Sequence, residues 1–223
     1  LVSLDDPVGY YLPEYTGGAR AEVQVRHLLS HTSGMPDMLP DNTELRRRHA
    51  ALQEFVQGAL QTPLLFQPNT QFRYQSKGTL LAAEIVERIS GKELRDFEHE
   101  QIFAPLGLEA SFLGLGGRDL SELVWCGNVA EKDEDEDARS WGWNTPYWRY
   151  LGSPWGGMHS NGPDLTVLMQ TMLNGGIYGG VRVLSAAAAA AMVRNQNPYL
   201  PAPWGLGWAL ADSVVWNSCG ELV

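Results

Sequence analysis

The chain has 223 residues, of which 44% are apolar and 19% are charged, and its formal net charge is −10. This length allows one domain with a buried core, and the apolar fraction is too high for a disordered protein. A negative surface repels nucleic-acid phosphates and anionic lipids. The longest apolar run, residues 186–193, is far shorter than the ~20 residues of a membrane-spanning helix. Nucleic-acid binding and a membrane span are therefore not expected.

The predicted elements are mostly helical. Apolar spacing, start signals and stop signals predict a helix start at Asp5 and helices over residues 43–60, 77–90, 92–104, 163–173 and 186–194. The clearest helix is 77–90, where Leu81, Ile85 and Ile89 share one face and Gly91 supplies the stop. Short strands are predicted at 181–184 and 204–211. Helical patterns outweigh strand patterns, which is unusual for a complete α/β enzyme.

Two other segments have unusual composition. Residues 131–137 carry six acidic side chains, but Ala138 and Asn144 stand where a calcium loop needs Gly and Glu. This acidic run is therefore predicted to be a solvated loop. Two cysteines are too few for a zinc site, and no metal is expected. Residues 141–155 hold four tryptophans and two tyrosines, which either pack in the core or form an apolar rim for an acyl group.

A series of short motifs runs through the chain. They are Leu4-Asp5-Asp6-Pro7-Val8, Val25-Arg26-His27-Leu28-Leu29-Ser30-His31-Thr32-Ser33-Gly34, Phe72-Arg73-Tyr74-Gln75-Ser76, Pro105-Leu106-Gly107-Leu108, Pro154-Trp155-Gly156-Gly157, Leu173-Asn174-Gly175-Gly176 and Gly205-Leu206-Gly207-Trp208. In order and spacing, the series resembles the serine β-lactamase and penicillin-binding-protein superfamily, on the side of class C β-lactamases and their esterase and D-peptidase relatives. The resemblance implies an α/β (α+β) fold of the β-lactamase/DD-peptidase type.

The chemistry of that family uses three motifs. A Ser-x-x-Lys supplies the nucleophile and its base, a Tyr-x-Asn supplies a proton shuttle, and a Lys- or His-x-Gly strand helps to form the oxyanion pocket. Only the second motif is recognisable here, as Tyr74-Gln75-Ser76, with Ser in the place of Asn. None of the three lysines, Lys77, Lys92 and Lys132, has a serine three residues before it.

The resemblance gives Tyr74 the role of the proton shuttle. A free phenol has a pKa near ~10, so it needs activation. The partner lysine would supply most of this, and the helix that starts after Ser76 would add a little by favouring the phenolate. Ser76 is either an ordinary N-cap of that helix or the Asn substitute that orients the substrate or the lysine. Trp155, Gly156 and Gly157 are candidate substrate-binding or supporting residues. His27 and His31 are expected to be structural.

In relatives, the nucleophile motif precedes the segment like residues 4–8, and the third motif follows the strand like residues 205–208. Residues 1–223 are therefore interpreted as one β-lactamase-related domain that lacks both ends. The expected product is mainly the helical sub-domain, with an incomplete antiparallel sheet and apolar surface that the absent strands would cover.

The predicted function is a serine acyl hydrolase that acts on a small-molecule ester, β-lactam or D-peptide substrate through an acyl-enzyme, with no cofactor. This chain alone is expected to be inactive because it has no nucleophile. The alternative is a non-catalytic module that binds cell-wall peptides or a protein partner. The sequence indicates neither a compartment nor an oligomeric state.

Overall fold

The structure is a computed structural model that describes residues 2–127 and 138–210. The acidic run 131–137 lies outside the described residues, so the prediction of a solvated loop stays a prediction. The α-helices are α1 (Val8–Tyr11), α2 (Val25–Leu29), α3 (Asn42–Arg47), α4 (Leu52–Gln61), α5 (Ser76–Ser90), α6 (Leu94–Glu98), α7 (Ala104–Leu106), α8 (Ala138–Trp141), α9 (Pro146–Leu151), α10 (Gly162–Leu173) and α11 (Ala186–Met192). Shorter turns of 3₁₀-helix cover Gly18–Glu22 and Leu120–Glu122.

The strands are short and form two antiparallel pairs. Strand β1 (Phe112–Leu113) pairs with β2 (Met158–His159), and Phe112 lies opposite His159. Strand β3 (Ile177–Tyr178) pairs with β4 (Val181–Arg182) across the Gly179-Gly180 turn. The predicted α/β (α+β) class, mainly helical with an incomplete antiparallel sheet, is confirmed.

Helix α5 forms where the apolar periodicity predicts it. Leu80, Leu81 and Ile85 are buried on its inner face, and Gly91 ends it in the left-handed conformation, with φ 70°. The N-cap is Gln75, whose side-chain oxygen accepts a hydrogen bond from the backbone N–H of Gly78. Ser76 is the first helical residue, so its interpretation as the N-cap is wrong.

The helix predicted over residues 43–60 is two helices. The chain leaves α3 at Arg47 and re-enters helix at Leu52, and His49 between them has φ 55°. The backbone N–H of Ala50 returns to the carbonyl of Leu45, which closes the end of α3. Buried apolar residues on both sides of the break preserve the periodicity, so the pattern alone does not reveal it.

The helical segment after residue 92 continues through Pro105 instead of ending before it. A π-helical stretch, His99–Phe103, separates α6 from α7, and Pro105 lies in the first turn of α7. Proline has no backbone N–H to donate, and here it lies at the junction between the π-helical stretch and α7, where the hydrogen-bond pattern changes. The strand predicted over 204–211 is also wrong within the described residues, where Trp204 and Ala209 form a single antiparallel bridge.

The main core lies between the N-terminal elements and α5. Its fully buried side chains include Val8 of α1, Leu12 directly after it, Leu28 of α2, and Phe55 and Leu60 of α4. Burial of these apolar side chains is the main stabilising contribution to this part of the fold. The core fixes the start of α5, on which the candidate site is built.

Helix α10 carries exposed apolar side chains, and the prediction that absent strands would cover such a surface stays a prediction. Leu165, Met169 and Leu173 are 44%, 40% and 81% exposed. None of the helices in the described part of the chain combines the length and the apolar character of a bilayer-spanning helix.

Candidate active site

Tyr74 lies two residues before α5 in an extended segment, and 39% of its surface is exposed. Its ring lies 4.6 Å from the ring of His31 and 6.3 Å from that of Trp204, measured between centroids. These contacts hold one side of the ring while the residue stays open to solvent. Tyr74 is therefore positioned by packing and accessible, as a proton shuttle must be.

The segment that carries Tyr74 is fastened to the loop over residues 31–37. The N–H of Arg73 donates to the carbonyl of His31 at 2.9 Å, and the N–H of Gln75 donates to His31 Nδ1 at 3.4 Å. The fully buried Gln75 side chain also donates to the carbonyl of Leu28, at the end of α2. The segment is fixed by α2 and by the loop that follows it, through bonds that span as many as 47 residues of sequence.

Asp37 closes the start of α5. Its Oδ1 accepts hydrogen bonds from the backbone N–H of Ser76 at 2.8 Å and from Ser76 Oγ at 2.7 Å. Ser76 is 5% exposed. Its hydroxyl hydrogen is therefore donated to Asp37.

The pKa of Tyr74 is raised above its ordinary value, first by burial and then by the negative charge of Asp37. The effect of the start of α5 on the phenolate stays a prediction, because burial and Asp37 are the causes of this shift. Asp37 accepts hydrogen bonds from Ser76 at the positive end of the helix, and its carboxylate opposes a second negative charge nearby. Tyr74 is a protonated phenol at neutral pH.

His27 and His31 are buried and neutral. Burial lowers the pKa of each imidazole to about 4. His27 Nδ1 accepts the N–H of Gln24 in a capping box of α2, which is the expected structural role. His31 has φ 59° and contacts the rings of Phe72, Tyr74 and Trp204, so it supports the candidate site directly.

Trp155 lies against the core. Its ring centroid is 5.9 Å from that of Phe55 and 6.3 Å from that of Trp148, and its indole Nε1 is buried without a hydrogen-bond partner. Trp141 and Trp148 are also buried, whereas Trp143 is 43% exposed. Of the two interpretations of the aromatic segment, packing describes Trp141, Trp148 and Trp155.

Gly156 and Gly157 differ in their surroundings. A Cβ added at Gly157 would lie 2.6 Å from the nitrogen of Ser153, so this tight turn requires glycine. The Gly157 carbonyl accepts the N–H of Gly114, which joins the turn to β1. A Cβ added at Gly156 would meet nothing within 4 Å. Gly157 is explained by the turn itself, and a binding role for either glycine stays a prediction.

The side chain of Lys77, in α5, contacts the aromatic segment over residues 141–155. Its side chain is completely buried, and Nζ has no hydrogen-bond partner. Nζ lies 4.0 Å from the centroid of the Trp155 ring and 5.5 Å from that of Phe55. Burial and, to a smaller extent, Arg46 lower the pKa of Lys77 to about 8, while Asp37 opposes the shift. The structure thus brings the start of α5 and Trp155 together through one buried amine.

Sequence reasoning missed Asp37 and the contact of Lys77. Asp37 is 39 residues from Ser76, and no spacing rule connects them. Lys77 is unusual only in its burial, since lysine is almost never fully buried without a partner. Among the described residues, no cluster of three or more His, Cys, Asp or Glu side chains could hold a metal ion. A phenol, a neutral imidazole and a carboxylate can together move a proton, but they include no serine nucleophile with a lysine base.

Comparison with known proteins identifies the family. The Beta-lactamase family model matches residues 1–219. The chain belongs to the β-lactamase family. The motif series therefore reflects common ancestry, and β-lactamase-related, penicillin-binding-protein-like and esterase proteins all occur among the relatives.

Three relatives illustrate the range of the family. Penicillin-binding protein 4 of Amycolatopsis lactamdurans is 31% identical over 94% of this chain and 56% of its own length. The D-amino acid amidase of Ochrobactrum anthropi SV3, solved with L-phenylalanine amide, is 25% identical with a TM-score of 0.65, over 87% of this chain and 53% of that one. A family VIII carboxylesterase is 23% identical with a TM-score of 0.68, over 87% and 55%. The chain spans about half the length of the curated relatives it matches.

Proposed function

We propose that this chain is the tyrosine-bearing part of a serine acyl hydrolase, in which Tyr74 transfers protons during formation and breakdown of an acyl-enzyme. The observation that carries the proposal is the half-exposed Tyr74, held at the start of α5 within a Tyr-x-Ser segment of a β-lactamase-family chain. The substrates proposed are small-molecule esters, β-lactams or D-peptide amides. The penicillin-binding protein and the amidase among the relatives support this set.

The raised pKa of Tyr74 suits one of the two proposed proton transfers, the acid step, without a neighbouring cation. A phenol that keeps its proton at neutral pH is a suitable acid for the leaving group. Its function as a base requires a nearby cation to stabilise the phenolate. We propose that the nucleophilic serine and that cation, a lysine one helical turn away, come from a Ser-x-x-Lys outside these 223 residues.

The test uses the protein extended to include such a Ser-x-x-Lys, with a p-nitrophenyl ester and a fluorescent penicillin as substrates. We expect Tyr74→Phe to lower kcat by about 10²- to 10⁴-fold, since it removes a general acid–base. Tyr10→Phe is the matched control because Tyr10 is 75% exposed and far from α5 in sequence. Full activity of the Tyr74→Phe variant, or labelling of the 223-residue chain by the penicillin, would contradict the proposal.

A second candidate function is a non-catalytic module that binds cell-wall peptides or a protein partner. One observation favours it: the hydroxyl of Ser76, at the family's Asn position, is donated to Asp37. The same extended protein separates the two functions. A module would bind a D-alanyl peptide without forming an acyl-enzyme, whereas the hydrolase would be acylated on its serine.

A further inference from the structure

Lys77 is a buried titratable group that the proposed proton transfer does not use. It follows Ser76 directly, and its side chain is 0% exposed. Burying an amine without a hydrogen-bond partner is unfavourable, and an apolar side chain of similar length would fill the same space without that cost. The position therefore needs an explanation beyond filling the core.

The partners of Lys77 are aromatic faces. Nζ lies over the ring of Trp155 at 4.0 Å and near that of Phe55 at 5.5 Å, within the range of cation–π attraction. The charged groups that affect it are Arg46 of α3, which lies over the ring of Trp148 at 4.1 Å, and Asp37, which is bonded to Ser76. A cation held by ring faces fixes the orientation of those rings as well as their distance.

Trp155 belongs to the turn that leads into β2. Trp155 is followed by Gly156 and Gly157, and the carbonyl of Gly157 accepts the N–H of Gly114 beside β1. The start of α5 carries Ser76 and, two residues before it, Tyr74. Lys77 therefore connects the helix that follows Tyr74 to the Trp155–Gly157 turn through its contact with Trp155.

We propose that Lys77 is a positioning residue whose ammonium, stacked on Trp155, holds the Trp155–Gly157 turn in register with the start of α5 that presents Tyr74. This inference rests on the proposed function, because the register affects turnover only if Tyr74 takes part in it. Lys77 itself does not touch the reacting atoms. Its contribution is the geometry between the start of α5 and the Trp155–Gly157 turn, whose residues are candidate substrate contacts, and small displacements of substrate-positioning groups lower turnover strongly.

The test compares Lys77→Met and Lys77→Arg in the protein extended to include the proposed Ser-x-x-Lys, with a p-nitrophenyl ester as substrate. Lys77→Met keeps an unbranched chain and removes the charge, whereas Lys77→Arg keeps a cation that can stack on indole. We expect Lys77→Met to lower kcat about tenfold with KM within about twofold, and Lys77→Arg to recover most of the loss. Thermal unfolding checks that both variants are folded.

A double-mutant cycle with Trp155→Leu tests the link itself. The double variant Lys77→Met/Trp155→Leu should lose no more kcat than the worse single variant, because both remove the same contact. Additive losses, kcat of Lys77→Met within twofold of the parent protein, or no recovery in Lys77→Arg would each overturn the inference. A parent protein that hydrolyses none of the esters or amides overturns the proposed function instead, and the positioning role with it.

Discussion

Asp37 and Ser76, 39 residues apart in sequence, share two hydrogen bonds at the start of the site helix. One carboxylate oxygen, Asp37 Oδ1, accepts both the backbone N–H and the hydroxyl of Ser76. The first turn of a helix has N–H groups without intrahelical acceptors, and this carboxylate satisfies one of them from outside the helix. The same charge opposes ionisation of Tyr74, so one residue both caps α5 and contributes to the raised pKa of the proposed shuttle.

The cap contribution is testable in the 223-residue chain. Asp37→Ala removes the acceptor of both bonds, and we expect the free energy of unfolding to fall by about 1–2 kcal/mol. Asp37→Asn keeps an acceptor oxygen and should lose less than half of that. Urea unfolding followed by circular dichroism measures both values. Equal stability of Asp37→Ala and the parent chain would show that the two bonds are not stabilising.

The electrostatic contribution of Asp37 is measured with the same Asp37→Asn variant. Its carboxylate raises the pKa of Tyr74 in addition to the effect of burial. We expect Asp37→Asn to lower the pKa of Tyr74 toward the ordinary phenol value, because the charge is lost while the burial remains. Absorbance titration near 295 nm, with Tyr74→Phe subtracted in each background, isolates this phenol. A pKa that is unchanged or higher would contradict the assignment.

Much of the fold could be predicted from the sequence. Helices α5, α10 and α11 coincide with the predicted helices because periodicity, caps and glycine stops agree there. The sequence does not predict the break between α3 and α4, because His49, in a left-handed conformation, interrupts the helix without interrupting the apolar pattern. The strand predicted over 204–211 does not form, for a different reason. A strand needs a partner, and Trp204 finds only Ala209.

The candidate site was only partly predictable for a related reason. Tyr74 and Ser76 belong to one contiguous motif, and the sequence shows them together. Asp37 and Lys77 act through contacts that tertiary packing creates, one across 39 residues and one through an aromatic ring. Neither residue type signals its role, since aspartate and lysine are usually solvated. The sequence therefore predicts the shuttle but not the charges around it.

Gly78 lies in the first turn of α5. We expect its replacement by alanine to destabilise the fold, which is the opposite of the usual effect within a helix. A Cβ there would lie 2.4 Å from the carbonyl oxygen of Leu28 and 2.1 Å from Gln75 Nε2. Gly→Ala inside a helix normally stabilises by about 0.5–1 kcal/mol. We expect Gly78→Ala to destabilise by about 2 kcal/mol or more, because Leu28 backbone and the buried cap must move.

Gly58 in α4 is the matched control for Gly78. Its added Cβ would meet Leu39 Cδ1 at 2.6 Å, the far end of a flexible side chain. Gly58→Ala should therefore change the free energy of unfolding by less than about 1 kcal/mol. Urea unfolding measures both variants. Similar values for Gly78→Ala and Gly58→Ala would show that the approach of Leu28 to α5 is not tight.

Because of His31, we expect the free energy of unfolding of the protein to fall in mild acid. Its folded pKa is lowered to about 4 from 6.5, so the unfolded chain binds a proton that the folded chain refuses between these values. The contribution is fully present above pH 6.5 and is lost as pH falls toward 4. From pH 6.5 to 5 this amounts to about 2 kcal/mol.

His31→Asn is the control because asparagine tolerates the left-handed conformation, φ 59°, and does not titrate. Free energies of unfolding at pH 7 and pH 5 should differ less in His31→Asn than in the parent chain. The residual difference includes His27, whose pKa is also lowered to about 4. Identical differences in the two proteins would mean that His31 is protonated in the folded state.

Lys77 is expected to make the stability of the protein depend on pH in the alkaline range. Its folded pKa is about 8 against 10.5 for the free amine, so below pH 8 both states are protonated and the cost of burying the charge is fully present. As pH rises from 8 toward 10.5, the folded amine is neutral while the unfolded amine is still charged, and stability is gained. The shift corresponds to about 3 kcal/mol, part of which the contact with Trp155 offsets at lower pH.

Lys77→Met carries no charge, so we expect it to be more stable than the parent chain at pH 7 and the gap to narrow by pH 9.5. Urea unfolding of both proteins at these two pH values measures the gap. A constant gap, or a variant less stable at pH 7, would show that Lys77 is hydrated or paired in solution.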